Sequence, residues 1–347
     1  MMTSQERIST AMEHKEPDRV PFVLSVTMHG ARELGLSIRE YFSSSETVAL
    51  GQVKMRAKYG HDGLLAFYYA AIEAEAFGAE VIFHEDGPPN AGRPIVTRKE
   101  EILRLAPPCV EETACLARVL GAIRQLKGES TGDVPILGAV ISPFSLPVMQ
   151  LGFDQYLEVM YEEPDLFDHL MRVNERFCVE WANAQLEAGA TAIAYCDPVS
   201  SPMIIPRELY LKTSFPVARR TVGCITGPTA THFSSAPCLA LAEDLPATGT
   251  VAVGVSALED LGILKDAFRG KLALLGNLNG ITMRNWTPRQ AEAEVKRAIA
   301  KAGRGGGFIL SDNHGEIPWQ VPEEVLLAIS EAVRTWGTYP LEWVDGY

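Results

Sequence analysis

Imidazoles, carboxylates and hydroxyls fall at the ends of short apolar runs throughout this chain. The densest such ending is Gly305-Gly306-Gly307-Phe308-Ile309-Leu310-Ser311-Asp312-Asn313-His314-Gly315-Glu316-Ile317-Pro318. A glycine-softened entry there feeds a buried-strand pattern that stops at Asp312, His314 and Glu316. Other runs end at His29, at Tyr68 and Tyr69, at Ser142, at Asp197, at His232 and Ser234, and at Asn277. Three of the seven histidines stand at such ends. Neutral imidazole is a good zinc ligand, and a catalytic zinc takes three protein ligands and one open position. His232 and His314 are candidates to share one ion, with Asp197, Glu73, Glu316 or Cys238 as the third ligand. Without metal, the same histidines would hydrogen-bond a substrate or the backbone; no HxH or HExxH spacing is present. Asp197 is also a candidate to orient a histidine or a substrate. His29, Tyr68, Ser142 and Asn277 are candidates to bind a substrate.

A scaffold must bring these endings together. Eight short apolar runs alternate with helical patterns: 20–26, 63–69, 134–141, 191–195, 226–231, 250–255, 272–275 and 308–310. Such alternation predicts parallel strands joined by right-handed crossovers. Eight units are the number that closes a (β/α)8 barrel, whose active site lies at the C-terminal strand ends. The expected fold is thus an α/β (β/α)8 TIM barrel, a single domain over 1–347. It carries an N-terminal helical extension at 4–14 and a small inserted excursion at 80–90. The other reading is an open doubly wound sheet with an appended domain, but no GxGxxG follows the first run. Within the excursion, His84-Glu85-Asp86 would point to alternating sides of an extended chain and reads as a solvated loop. Glu73 and Glu75 open a helix, where carboxylates favour the dipole in any case. Phe144, Met149, Phe233 and Trp319 read individually as core, although together they would suit an apolar pocket.

The 347 residues, 47% hydrophobic, suffice for a large core. A net charge of −13 argues against nucleic acid or an anionic membrane as a partner. No apolar run is long enough to span a bilayer. The polar start, 1–16, reads as an amphipathic helix and not a signal peptide. Six cysteines without a CxxC pair suggest reduced thiols and a cytoplasmic setting.

Several segments together resemble the uroporphyrinogen decarboxylase superfamily. They are RISTAMEHKEPDRVP (7–21), AEAFGAEVIFHEDGPP (74–89), GPTATHFSSAP (227–237), LLGNLNG (274–280) and GGFILSDNHGEIP (306–318). The resemblance runs over essentially the whole chain and implies a (β/α)8 barrel. The decarboxylases of this superfamily bind a tetrapyrrole through an arginine-rich RQAGR segment after the first strand. Here that place reads Met28-His29-Gly30-Ala31-Arg32, and only Arg32 matches. The other branch, the corrinoid-dependent methyltransferases, moves a methyl group between a small substrate or thiol and the cobalt of a partner corrinoid protein. Its thiol-using members hold zinc with an HxC pair after the fifth strand and a cysteine after the eighth. His232 matches that histidine, but Ser234 and His314 stand where the cysteines would be. The resemblance therefore implies a methyltransferase taking a methyl group from a small, oxygen-linked methyl substrate to Co(I) of a partner corrinoid protein. Any zinc on His232, His314 and Glu316 would lack thiolates and be a harder Lewis acid. A methylcobalamin:thiol methyltransferase and a tetrapyrrole decarboxylase are the alternatives that it leaves open.

Overall fold

The computed structural model describes residues 2–66, 68–130 and 132–346. Its centre is a seven-stranded parallel sheet, with strands β1 (Leu64–Leu65), β4 (Ile136–Ile141), β5 (Ala192–Cys196), β6 (Thr229–His232), β7 (Ala252–Gly254), β8 (Ala273–Leu278) and β9 (Phe308–Asp312) adjacent in that order. Two further short strands, β2 (Val81–Ile82) and β3 (Asn90–Ala91), pair antiparallel in the expected excursion. Seven of the eight runs read from the sequence thus form the ladder. The eighth, 20–26, does not become a ladder strand. It spans the two sheet edges by single bonds: Val23 N–H to the Leu310 carbonyl at 2.9 Å, Leu310 N–H to Pro21 at 2.9 Å, and Asp62 N–H to Phe22 at 2.8 Å. The sheet is curled, but an eighth full strand does not close it.

A buried charge cluster explains why 20–26 sits between the edges. Asp62 accepts from Arg7 Nη1 at 2.7 Å, from Arg19 Nη1 at 2.7 Å and from the Phe22 backbone at 3.0 Å. These bonds tie the N-terminal helix, Ser4–Met12, and the first segment to the start of β1. The helix is shorter than the expected 4–14. A capping box between Thr3 and Glu6 opens it, and the chain turns out of it at His14, whose φ is 56°. Its Ile8 and Met12 pack against Val23, Leu65, Leu137, Leu275 and Ile309.

That small cluster identifies the inner face of the sheet. Only inward-pointing side chains of a curled sheet meet across it, and side chains alternate with a period of two. Following the register upward from Leu137 places Ala139, Ala194, Cys196, Ala230, His232, Gly254, Leu275 and Asn277 on the same face. Their outward neighbours Val140, Ile193, Tyr195, Thr231, Val253 and Leu274 are buried under the surrounding helices. Ala139, Ala194, Cys196, Ala230, His232, Leu275 and Asn277 are all part-exposed. The sheet therefore encloses a solvent-reached lumen with mostly small walls, open above a plug made by the N-terminal helix.

Candidate active site at the C-terminal mouth of the sheet

His232 is the last residue of β6 and faces the lumen. Beyond it the chain turns sharply through Ser234 and Ser235, with φ of 48° and 76°. This turn aims the Ser234 N–H at His232 Nδ1, 3.0 Å away. Nδ1 is therefore the acceptor, and in the neutral ring Nε2 carries the proton. Burial holds the His232 pKa below its ordinary value, opposed by the charge of Asp312 and helped by His314. His232 thus presents a neutral N–H donor.

His314 enters from the other side. At the end of β9, Asp312 Oδ2 accepts from the backbone of His314 at 3.0 Å and of Gly315 at 2.8 Å. This closes a tight turn, and Gly315 takes a φ of 84° within it. His314 Nδ1 lies 2.6 Å from Ser235 Oγ. The Ser235 carbonyl accepts from Ser256 Oγ at 2.6 Å, and the Ser256 carbonyl accepts from Asn277 Nδ2 at 3.0 Å. The ends of β6, β7, β8 and β9 are thereby linked in one hydrogen-bonded row. Glu316 accepts from Thr27 Oγ1 at 2.5 Å. Burial, with a contribution from Asp312, pushes its pKa up to about 7.

The expected zinc set does not fit this arrangement. His232 Nε2 bears a proton where a metal would need a lone pair, and reversing the tautomer would set two N–H groups against each other at Ser234. The bonds of His314 Nδ1 to Ser235 and of one Glu316 oxygen to Thr27 would orient these side chains and do not by themselves exclude an ion at the other nitrogen or oxygen, so the misfit lies with His232 and with the spacing. Among the described residues no three His, Cys, Asp or Glu side chains are grouped so as to hold an ion. Cys238, another candidate ligand, is buried, with its thiol pKa raised by burial.

The structure separates the other candidates. Asp197 follows the inward-facing Cys196, so its carboxylate points away from the lumen. It accepts from Ser142 Oγ at 2.5 Å, Ser145 Oγ at 2.8 Å, Ser200 Oγ at 2.5 Å and Ser214 Oγ at 3.4 Å. Burial raises its pKa and the four hydroxyls oppose the rise. Both Asp197 and Ser142 are therefore committed to a buried cage behind the sheet. Tyr68 packs on Phe42 with ring centroids 5.5 Å apart, and its hydroxyl donates to the Arg118 carbonyl at 3.1 Å. It does not join the histidines either. His29 is buried 5.8 Å from the Trp319 ring, and neither ring nitrogen has a well-formed partner. Burial, then Arg32, lowers its pKa to about 3, so it is neutral.

Cys196 carries no obvious sequence signal, whereas Glu73 stood among the candidate third ligands. Cys196 is the register partner of His232, and its thiol is pushed up to about 12 by burial and by Glu73. Glu73 accepts from the Ile141 N–H at 2.8 Å, and burial raises its pKa to about 8. Apolar alternation along β5 would have flagged Cys196 only once the register was known.

Comparison with known proteins adds the family. The chain matches the uroporphyrinogen decarboxylase (URO-D) family over residues 3–336. Curated relatives include uroporphyrinogen decarboxylase of Burkholderia thailandensis, 28% identical over 290 residues (79% of this chain, 78% of that one). The enzyme of the same name from Nitrosomonas europaea is 27% identical over 293 residues (80% and 79%). Among solved structures, a methyltransferase from Methanosarcina mazei superposes with a TM-score of 0.86 at 20% identity, covering 96% of this chain and 99% of that one. A B12-independent methionine synthase from Shewanella gives 0.56 at 13% identity, covering 92% and 95%. The chain belongs to the uroporphyrinogen decarboxylase family.

Proposed function

We propose that this protein is a methyltransferase that passes a methyl group from a small oxygen- or nitrogen-linked methyl substrate to the Co(I) of a corrinoid carried by a partner protein. One observation carries the reading: Arg32, the single match to the tetrapyrrole-binding arginine segment, is not free. Arg32 donates to the Trp319 carbonyl at 2.5 Å and stacks on that ring at 4.3 Å. A polycarboxylate tetrapyrrole would need several such cations. The fold shared with the Methanosarcina methyltransferase agrees with this reading.

In such a transfer the bond between methyl carbon and heteroatom breaks, and the pair stays on the heteroatom. The His232 N–H can meet that growing lone pair, a contact stronger in the transition state than with the bound substrate. Glu316, with a pKa of about 7, can supply a proton to a departing oxygen. Both roles use this chain's own residues. The partner corrinoid protein and a cytoplasmic setting belong to the same proposal; no helix among the described residues is long and apolar enough to cross a membrane.

The second reading is decarboxylation of a tetrapyrrole, the reaction that the curated relatives' name describes. Incubation with a Co(I) corrinoid acceptor and a panel of methyl ethers, methanol, methylamines and thioethers separates the two. Methyl-cobalt formation is the expected result. Its absence across the panel, with decarboxylation of uroporphyrinogen instead, would overturn the proposal.

A further inference from the structure

We propose that a cavity at the N-terminal end of the sheet, away from the mouth, is a second ligand site, and that it takes a small phosphate monoester with a hydroxyl-bearing body. The site is separate from the reaction proposed above.

The cavity has a volume of about 870 Å³. Asp62, just before β1, and Asp133, just before β4, are in its wall. So are Arg19 and Thr338, whose backbones form an antiparallel bridge where the 20–26 segment begins. Residues that precede parallel strands stand at the opposite end from the strand-end histidines. The volume falls within the range of about 300–1,000 Å³ that small-molecule sites occupy.

Four arginines and three aspartates line the cavity, one positive charge in excess in a chain of net charge −13. Two of the arginines are spent. Arg7 pairs with Asp18 at 2.6 Å and with Asp62 at 2.7 Å, and Arg19 pairs with Asp62 at 2.7 Å. The other two are not. Arg56 is half-buried and joins no ion pair among the described residues. Its Nη2 donates to Ser4 Oγ at 3.3 Å, and its Nε is buried without a partner. Arg334 donates to the Tyr59 carbonyl at 3.3 Å and comes no nearer than 3.8 Å to Glu331, an exposed pair worth little. A guanidinium brings five N–H donors, so most of these donors are unused. Both arginines stand in the last turn of a helix, Ser45–Tyr59 and Glu323–Trp336, where a cation suits the dipole. That preference explains each alone. It does not explain two under-used guanidiniums on one cavity.

Arginine binds phosphate through paired N–H donors, which sets the charged end of the ligand. The remaining wall sets the other end. Among the described residues it holds no aromatic ring on which a base would stack, and Met2 is its only large apolar side chain. Thr3 and Thr338 offer hydroxyls and Asp18 a part-exposed carboxylate, partners for a polyol. The wall carboxylates repel the further charge of a di- or triphosphate, which leaves a monoester. Such a ligand would join the N-terminal helix to the ends of the two others, so occupancy should stabilise the fold.

Calorimetric titration of the full-length protein with glucose 6-phosphate, ribose 5-phosphate and glycerol 3-phosphate, against inorganic phosphate and glucose, tests this. At least one of the three esters should bind about tenfold or more tightly than either control. The same ester should raise the thermal midpoint. Arg334→Gln, at an exposed position, should weaken that ester by about tenfold or more, and so should Arg56→Gln. No binding of any ester by the unmodified protein, a measurement that needs no variant, would overturn the proposal. So would unchanged affinity in a folded Arg334→Gln, or inorganic phosphate binding as tightly as the esters.

Discussion

The His232 ring lies against Gly254 so closely that a Cβ on the glycine would stand 2.2 Å from His232 Cδ2. Gly315 flanks the same ring, and its Cβ would come within 3.2 Å of Cε1. Pairing of β6 with β7 sets His232 beside Gly254, and the Asp312 turn brings Gly315 in from β9. The imidazole thus occupies room left by two missing side chains.

Gly254→Ala should therefore displace the ring. The strain should cost about 1–3 kcal/mol of stability, read by urea denaturation. Methyl transfer should fall by about a hundredfold, because a displaced donor no longer meets the departing atom. Full activity in a stable Gly254→Ala protein would show that the ring position is incidental.

The tautomer of His232 can be observed directly. Nitrogen-15 NMR at neutral pH should find Nδ1 unprotonated and Nε2 protonated, because burial suppresses the cation. Added zinc should leave both resonances unmoved. His232→Ala should lower kcat by about 10²–10³. A zinc-dependent shift at Nε2 would restore the metal-assisted reading.

Asp197 should matter for folding. Asp197→Ala strands four serine hydroxyls in the interior and should destabilise the protein by about 3–5 kcal/mol. Asp197→Asn, which still accepts through one oxygen, should cost less. A marked drop in kcat for folded Asp197→Asn, with unchanged denaturation, would return Asp197 to the catalytic machinery.

The pH dependence of stability follows from Glu73 and Glu316. Burial raises these carboxyls from an ordinary 4.5 to about 8 and about 7. The folded state then holds protons that the unfolded chain releases. Their contribution is complete below about pH 4.5 and is lost as pH rises through 7 to 8. The free energy of unfolding should fall across that window by several kcal/mol in total. Glu73→Gln keeps an acceptor for the Ile141 N–H and should flatten the decline. A decline that persists undiminished in Glu73→Gln would assign it elsewhere.

Much of this architecture was legible along the chain, because an apolar run and its stop signal are local. The endings at His232, His314 and Glu316 were read directly, and the turns after β6 and β9 bring Ser235 and His314 into hydrogen-bond contact. The run at 20–26 was equally apolar, yet it became an edge-spanning segment. Its neighbours are chosen by Asp62, Arg7 and Arg19, which lie far apart in the sequence.

By itself, then, the chain determined where strands begin and stop, the acidic surface and the family. Those properties reside in composition and short patterns. Tertiary structure decided which side of each strand end meets the lumen. Cys196 faces in and Asp197 faces out because the register with His232 fixes the alternation. It also decided that Asp197 has four hydroxyl partners while Asp312 keeps a bare oxygen. The partners of a buried carboxylate come from separate elements, and only packing brings them within hydrogen-bond reach.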